Sequence, residues 1–206
     1  MQSPHAISTL EQLRAVIGPE SPAVRAKLSP TLDETARAFI AASPFALLAT
    51  SDAQGRSDVS PKGDGAGFVL VEDERTLLVP DQKGNRLIFG LQNILANPQV
   101  ALIFLVPGTE ETLRVQGRAE LSADPALLAR LAQRGKPAVL AIRVHVDQVF
   151  FHCAKAFRRS SLWKPETWLT PLRISFGEMF AKKHGLDADT AAKIDASIEE
   201  DYRTGL

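Results

Sequence analysis

Cationic side chains in this sequence fall at strand ends and at one helix entrance, an arrangement suited to holding a phosphate. Lys62 closes the stretch SDVSPKG, and Lys83, Asn85 and Arg86 follow LLVPD at the expected start of a helix. Arg114 and Arg118 project from the polar face of an otherwise apolar strand. A helix entrance offers unpaired backbone N–H groups and the positive end of the helix dipole, so anions seat there. Arg86 and Lys62 would add charge-assisted bonds, partly bidentate. Taken singly, each residue also has an ordinary reading. Asn85 serves as a helix cap, Lys62 and Lys83 as solvated turn residues, Arg114 and Arg118 as a wet strand face. Their order along the chain is what joins them.

Other chemistries lack their residues. There is no G-x-x-x-x-G-K-[ST], and the glycines at 63, 65 and 67 neither follow the G-x-G-x-x-G spacing nor open a helix. G-x-S-x-G is absent, and His5, His145, His152 and His184 are scattered, so no metal site is expected. The single Cys153 excludes an intramolecular disulfide. Behind two phenylalanines it reads as a small buried core residue, with a redox thiol as the alternative. Lys plus Arg equals Asp plus Glu at 24 each, which argues against a nucleic-acid partner. Apolar runs such as residues 100–106 fall far short of the roughly 20 residues that span a bilayer. No basic stretch followed by an apolar run opens the chain, so the expectation is a cytoplasmic protein without membrane or nucleic acid.

The elements that must position these residues read as follows. Ser8 with Glu11, then Thr31 with Glu34, form capping boxes ahead of two apolar-periodic helices. From Phe45 the period changes to that of strands, over FALLATSD, GFVLVED and RTLLVP. Asn85 caps RLIFGLQNILAN, where Leu87, Ile88, Leu91, Ile94 and Leu95 form one stripe. QVALIFLV is apolar throughout and should be a strand buried on both faces. TLRVQGRAEL and VLAIRVHVDQVFF alternate, with Asp124-Pro125 opening a short helix between them. About six strands in mostly hairpin order predict a mainly β (α+β) protein, a six-stranded antiparallel barrel with flanking helices. Residues 1–44 would form a helical segment on the barrel, 45–163 the barrel, and 164–206 a helical C-terminal arm within one structural domain.

DVSPKGD, LLVPD, GNRL, NILANPQVALIFL and ETLRVQGRAEL, in that order, resemble the FMN-binding split barrel of the pyridoxamine 5'-phosphate oxidase-like family. VFFHCAKAFRRSSLW adds likeness to a flavoprotein branch sharing the SPKGD, ETLRV and FHCAKA elements, so that the resemblance covers residues 45 to 163. It implies a homodimer with FMN in the clefts between subunits and an oxidoreductase acting on a small molecule. The alternatives are a flavin carrier, sensor or stress-related module without turnover, and a deazaflavin- or haem-handling barrel. Carried over, Asp58, Val59, Ser60 and Lys62 lie on the cofactor-gripping strand, with Pro80 and Asp81 at the flavin edge. Asn85 and Arg86 take the phosphate, while Thr112 and Arg114 border the isoalloxazine. His152, with Lys155, Arg158 and Ser160 behind it, approaches from the second subunit. No catalytic residue is implied. The resemblance departs from true pyridoxamine-phosphate oxidases at Ser57, where they carry an arginine, and at Ser60-Pro61, where they carry leucines. Their C-terminal arginine–histidine–aspartate–arginine motif is replaced by AFRRSSLW, so the vitamin B6 reaction is not expected.

Overall fold

Period-two alternation builds the sheet. In the computed structural model, which describes residues 5–205, β1 (Phe45–Ser51), β2 (Ser57–Gly63), β3 (Leu70–Val71), β4 (Thr76–Asp81), β5 (Gln99–Leu105), β6 (Thr112–Ser122) and β7 (Leu140–His152) form one antiparallel sheet. Their order is β2-β1-β5-β6-β7-β4-β3. The sheet thus has seven strands rather than about six, and it is not hydrogen-bonded into a closed ring. Its two sides nonetheless curl together, because Lys62 on β2 donates to the Asp81 carboxylate at the end of β4. That ion pair bridges the split.

Leu48, Leu77, Val79, Leu102, Phe104, Leu113, Val115, Ile142 and Val144 fill the inside and are almost wholly buried. Each contributes about 1.5–3 kcal/mol of transfer free energy, before the entropy cost of ordering it. α3 (Glu34–Ala42) closes one end with Ala36 and Ile40, and Phe39 meets Phe151 edge-on at 5.4 Å. A bulge at Gln116/Gly117 shifts the β6–β7 register, so Val146 and Val149 both face inward with Asp147 and Gln148 between them. Gly117 is required there, since a Cβ would lie 2.0 Å from the His145 carbonyl oxygen.

Several local expectations shift. α1 (Leu10–Ile17) is boxed by Thr9 and Gln12 rather than by Ser8 and Glu11, and Asp33, not Thr31, caps α3. GFVLVED contracts to the two residues of β3. Gly67, at φ 79°, donates to the Ser43 carbonyl, and a Cβ on it would come within 3.2 Å of the Ala41 carbonyl. That stretch is pinned under α3 and cannot extend. In β5 only Val100, Leu102 and Phe104 are buried, while Ala101, Ile103 and Leu105 are half-buried on the outward face. Burial on both faces therefore does not hold within one chain. α5 (Pro125–Arg130), capped by Asp124, matches its expected position.

Beyond β7 come the short α6 (Lys155–Ser160) and a turn of 3-10 helix (Pro165–Thr167), neither foreseen from periodicity. Trp163 stacks on Phe157 and donates its indole N–H to the Thr109 carbonyl at 2.8 Å, fastening this segment to the β5–β6 loop. The arm is a helical hairpin of α7 (Phe176–His184) and α8 (Ala188–Thr204). Among the described residues no helix is long and apolar enough to cross a membrane.

Candidate functional site

The split between β2 and β4 opens into a cleft of about 860 Å³, within the range of small-molecule sites. Its first wall is β2. Asp58, Ser60 and Lys62 are half-buried, and Val59 and Pro61 are exposed, as the strand's alternation requires. Asp58 and Ser60 sit opposite Thr50 and Leu48 on β1, and so face inward beneath α4 (Phe89–Ala96). A Cβ on Gly90, in the first turn of α4, would lie 3.5 Å from Asp58 Oδ2 and 3.7 Å from Ser60 Oγ. Asp58 thus occupies the side of the first turn where negative charge is favoured. Asn93 of the same helix donates to Thr50 Oγ1 at 3.0 Å, which fixes α4 over the strands.

The second wall is the loop after β4. Here the expected helix start moves. Asn85 does not cap a helix at Arg86; its Oδ1 accepts from the Leu87 N–H at 2.9 Å, and α4 begins only at Phe89. The cause is Arg86, which takes the left-handed region at φ 62° and cannot continue a right-handed helix. The stripe expected over 87–95 loosens accordingly: Leu87, Ile88 and Leu95 are exposed, and Ile94 is buried. Lys62, Lys83 and Arg86 line the cleft against Asp58 and Asp81, three cations to two carboxylates. Lys62 is neutralised by Asp81. Lys83 and Arg86 are exposed and have no ion pair among the described residues, which leaves them as the cations available to an anionic ligand.

Gln82 lines the same cleft and carried no signal in the sequence. Its Nε2 is buried without a hydrogen-bond partner among the described residues. A smaller hollow of about 160 Å³ behind it is lined by Pro80, Asp81, Pro61 and Lys62, so Pro80 sits in the wall rather than the open cleft.

The remaining candidates lie elsewhere. His152, Lys155 and Arg158 line a second, mostly apolar cleft of about 620 Å³ with Leu113, Phe151 and Cys153, walled on one side by Lys27, Ser29 and Asp33. Leu140 belongs to the first cleft and Val149 to the second. About 30 Å of extended strand separates those two residues, at roughly 3.3 Å per residue. One chain therefore brings Asp58, Val59, Ser60, Lys62, Asp81, Asn85 and Arg86 together, and His152, Lys155 and Arg158 together, but not the two groups with each other. Arg158 bonds Glu110 at 2.7 Å, which raises its pKa. Ser160 donates to the Phe157 carbonyl and lines neither cleft. Cys153 is exposed rather than buried, because β7 ends at His152 and the thiol falls on the turn into α6.

Thr112 is buried opposite His152, and Arg114 lies on the outward face of β6, its guanidinium 5.3 Å from the centre of the Phe150 ring. Arg114 Nε is buried without a partner among the described residues. Around it the outward face is apolar: Leu47, Ala49, Ala101, Ile103 and Leu105 are half-buried there.

Solved structures similar in fold include the HupZ protein of Group A Streptococcus, 20% identical over 58% of this chain and 92% of its own, with a TM-score of 0.48. A candidate pyridoxamine 5'-phosphate oxidase of Lactobacillus delbrueckii is 26% identical over 59% of this chain and 95% of its own, with a TM-score of 0.46. The heme storage protein HutZ of Vibrio cholerae is 18% identical over 58% and 93%, with a TM-score of 0.42. No curated protein matches the chain. The sequence profile of pyridoxamine 5'-phosphate oxidase, however, matches residues 32–153, from the start of α3's cap to the end of β7. That span is more than half of the 206 residues, and the chain belongs to the pyridoxamine 5'-phosphate oxidase family.

Proposed function

We propose that the protein is an FMN-binding oxidoreductase that acts, as a homodimer, on a small molecule. The observation that carries this reading is the 860 Å³ cleft with Lys83 and Arg86 unpaired in its wall. A phosphate needs cations that are not already neutralised, and charge-assisted bonds to it are the strong ones. The residues present fit such a cofactor, since the same wall carries an orphaned amide donor, Gln82 Nε2, and a paired lysine. Bound FMN would supply the hydride or electron transfer. The chain's own part is to hold and orient: Arg86, Lys83 and Asn85 at the phosphate, Asp58, Val59, Ser60 and Lys62 along one side, Pro80 and Asp81 behind the ring.

The second subunit would complete the site. Arg114, half-buried on an apolar sheet face with its Nε buried and without an acceptor among the described residues, is the kind of group a partner chain satisfies. His152, Lys155 and Arg158 would then approach the cofactor from the partner, with Thr112 and Arg114 at the seam. Because Cys153 is an exposed thiol, we assign a reducing, cytoplasmic setting.

The test is direct. Purified protein should be yellow, and the released chromophore should have the mass of FMN. NAD(P)H should reduce the bound flavin, and an added acceptor should reoxidise it over many turnovers. Colourless protein that does not bind added FMN would overturn the cofactor, and reduction without turnover would reduce the reading to a carrier or sensor.

A further inference from the structure

We infer that Gln82 is the residue that reads the ring edge of the cofactor, donating its side-chain amide N–H to an acceptor on the pyrimidine side of the flavin. The inference rests on the FMN reading of the cleft.

Gln82 directly follows the last residue of β4, so its backbone is fixed by the sheet on one side. Its side chain lies where the 860 Å³ cleft meets the 160 Å³ hollow and lines both. Nε2 is buried there and bonds to nothing among the described residues. A buried amide donor left unpaired costs the full desolvation of that group, and native proteins rarely keep one without a role. A bound ligand that brings an acceptor removes the cost.

The neighbourhood says which kind of acceptor. Beside Gln82 the wall carries the Lys62–Asp81 pair, which is neutral as a unit. The unpaired charge belongs to Lys83 and Arg86, further along the loop. A phosphate gains little beside a neutral pair and much beside two free cations. The uncharged donor suits a carbonyl oxygen or a ring nitrogen instead. The pyrimidine side of an isoalloxazine offers both, and reduction places more electron density there. Gln82 would therefore bind the reduced ring more tightly than the oxidised one, raising the reduction potential.

Two ligands separate ring from phosphate: FMN, and lumiflavin, which has the ring without the ribityl phosphate. Titrations would use wild type, Gln82→Leu and Arg86→Ala. Gln82→Leu should weaken both ligands by a similar factor of about ten, the worth of one hydrogen bond. Arg86→Ala should weaken FMN alone. In the FMN-bound protein, a further tenfold loss on the reduced form, beyond that on the oxidised form, lowers the two-electron midpoint potential by about 30 mV. The ligand-free Gln82→Leu protein should melt no lower than wild type, because an amide without a partner holds nothing in the fold. The potential is read with FMN bound, so it decides even where lumiflavin binds too weakly to titrate.

A wild type that binds FMN, with affinity and potential unchanged in Gln82→Leu, would overturn the inference alone. That outcome is expected if water in the small hollow satisfies the amide. A wild type that binds neither flavin would overturn the FMN reading as well.

Discussion

Arg86 holds a left-handed backbone that costs a non-glycine residue roughly 1–2 kcal/mol. Such strain in the wall of a cleft fits a role in holding a ligand. Arg86→Gly should therefore raise the melting temperature of the ligand-free protein by about 2–4 °C per kcal/mol recovered, while weakening FMN about 10- to 100-fold through loss of charge-assisted bonds. Calorimetry and a flavin titration on the same variant would check both signs. Asp81 is expected to behave oppositely. It neutralises Lys62 at a site where both side chains are about one-fifth exposed. Asp81→Asn leaves that lysine without its counter-charge, so the ligand-free protein should lose about 1–3 kcal/mol, below the 3–5 of a fully buried pair. Because the ring edge with its carbonyl oxygens then faces an uncompensated lysine, saturating FMN should raise this variant's melting temperature more than the wild type's. Equal shifts would place the ring edge far from Lys62.

Among elements, β6 and β7 were plain in the sequence, because alternation over Leu113, Val115 and Ala119 and over Ile142, Val144 and Val146 is a local signal that packing only reinforces. Asp124 and α5 were legible for the same reason. The start of α4 was not. Asn85 looks like a cap in either case, and only the tertiary placement of Arg86 turns its bond into a tight local turn. Gln82 gave no warning at all, since its significance is a missing partner in space. The β6–β7 bulge tolerates no side chain at Gly117, where the clash is with backbone. Gly117→Ala should cost several kcal/mol, seen as a lowered denaturant midpoint, with the greatest loss of amide protection in β6 and β7. The arm is held by a different device. Asp195 on α8 accepts from Ser175 Oγ and, at 2.7 Å, from the Gly177 N–H at the start of α7. Those bonds, the hydroxyl's first, hold its carboxyl below the ordinary 3.8. A lowered carboxylate pKa gives stability that is present above the ordinary value and lost as pH falls through the native one. Pepsin should therefore cut the 165–205 segment faster below about pH 4, and Asp195→Asn should cut fast at every pH tested.

At the scale of the whole molecule, one chain carries two clefts about a strand length apart and an apolar outward face between Leu47 and Phe150. A homodimer formed through that face would explain both. Ile103→Glu places a charge at the middle of β5 on the outward side, opposite Arg114 on β6 and Leu47 on β1. It should shift sedimentation from dimer to monomer and, on the proposal of a shared site, abolish FMN binding while leaving the far-ultraviolet circular dichroism unchanged. Loss of association with flavin still bound would mean that one chain suffices. The split itself has a further cost. A sheet left open presents β2 as a row of unpaired backbone groups, a template on which foreign strands can add. Pro61, in the middle of that strand, withholds one donor and interrupts the row, and Lys62 beside it, tied across the split to Asp81, obstructs an added strand. The same two residues that shape the ligand wall thereby keep the chain from polymerising edge to edge.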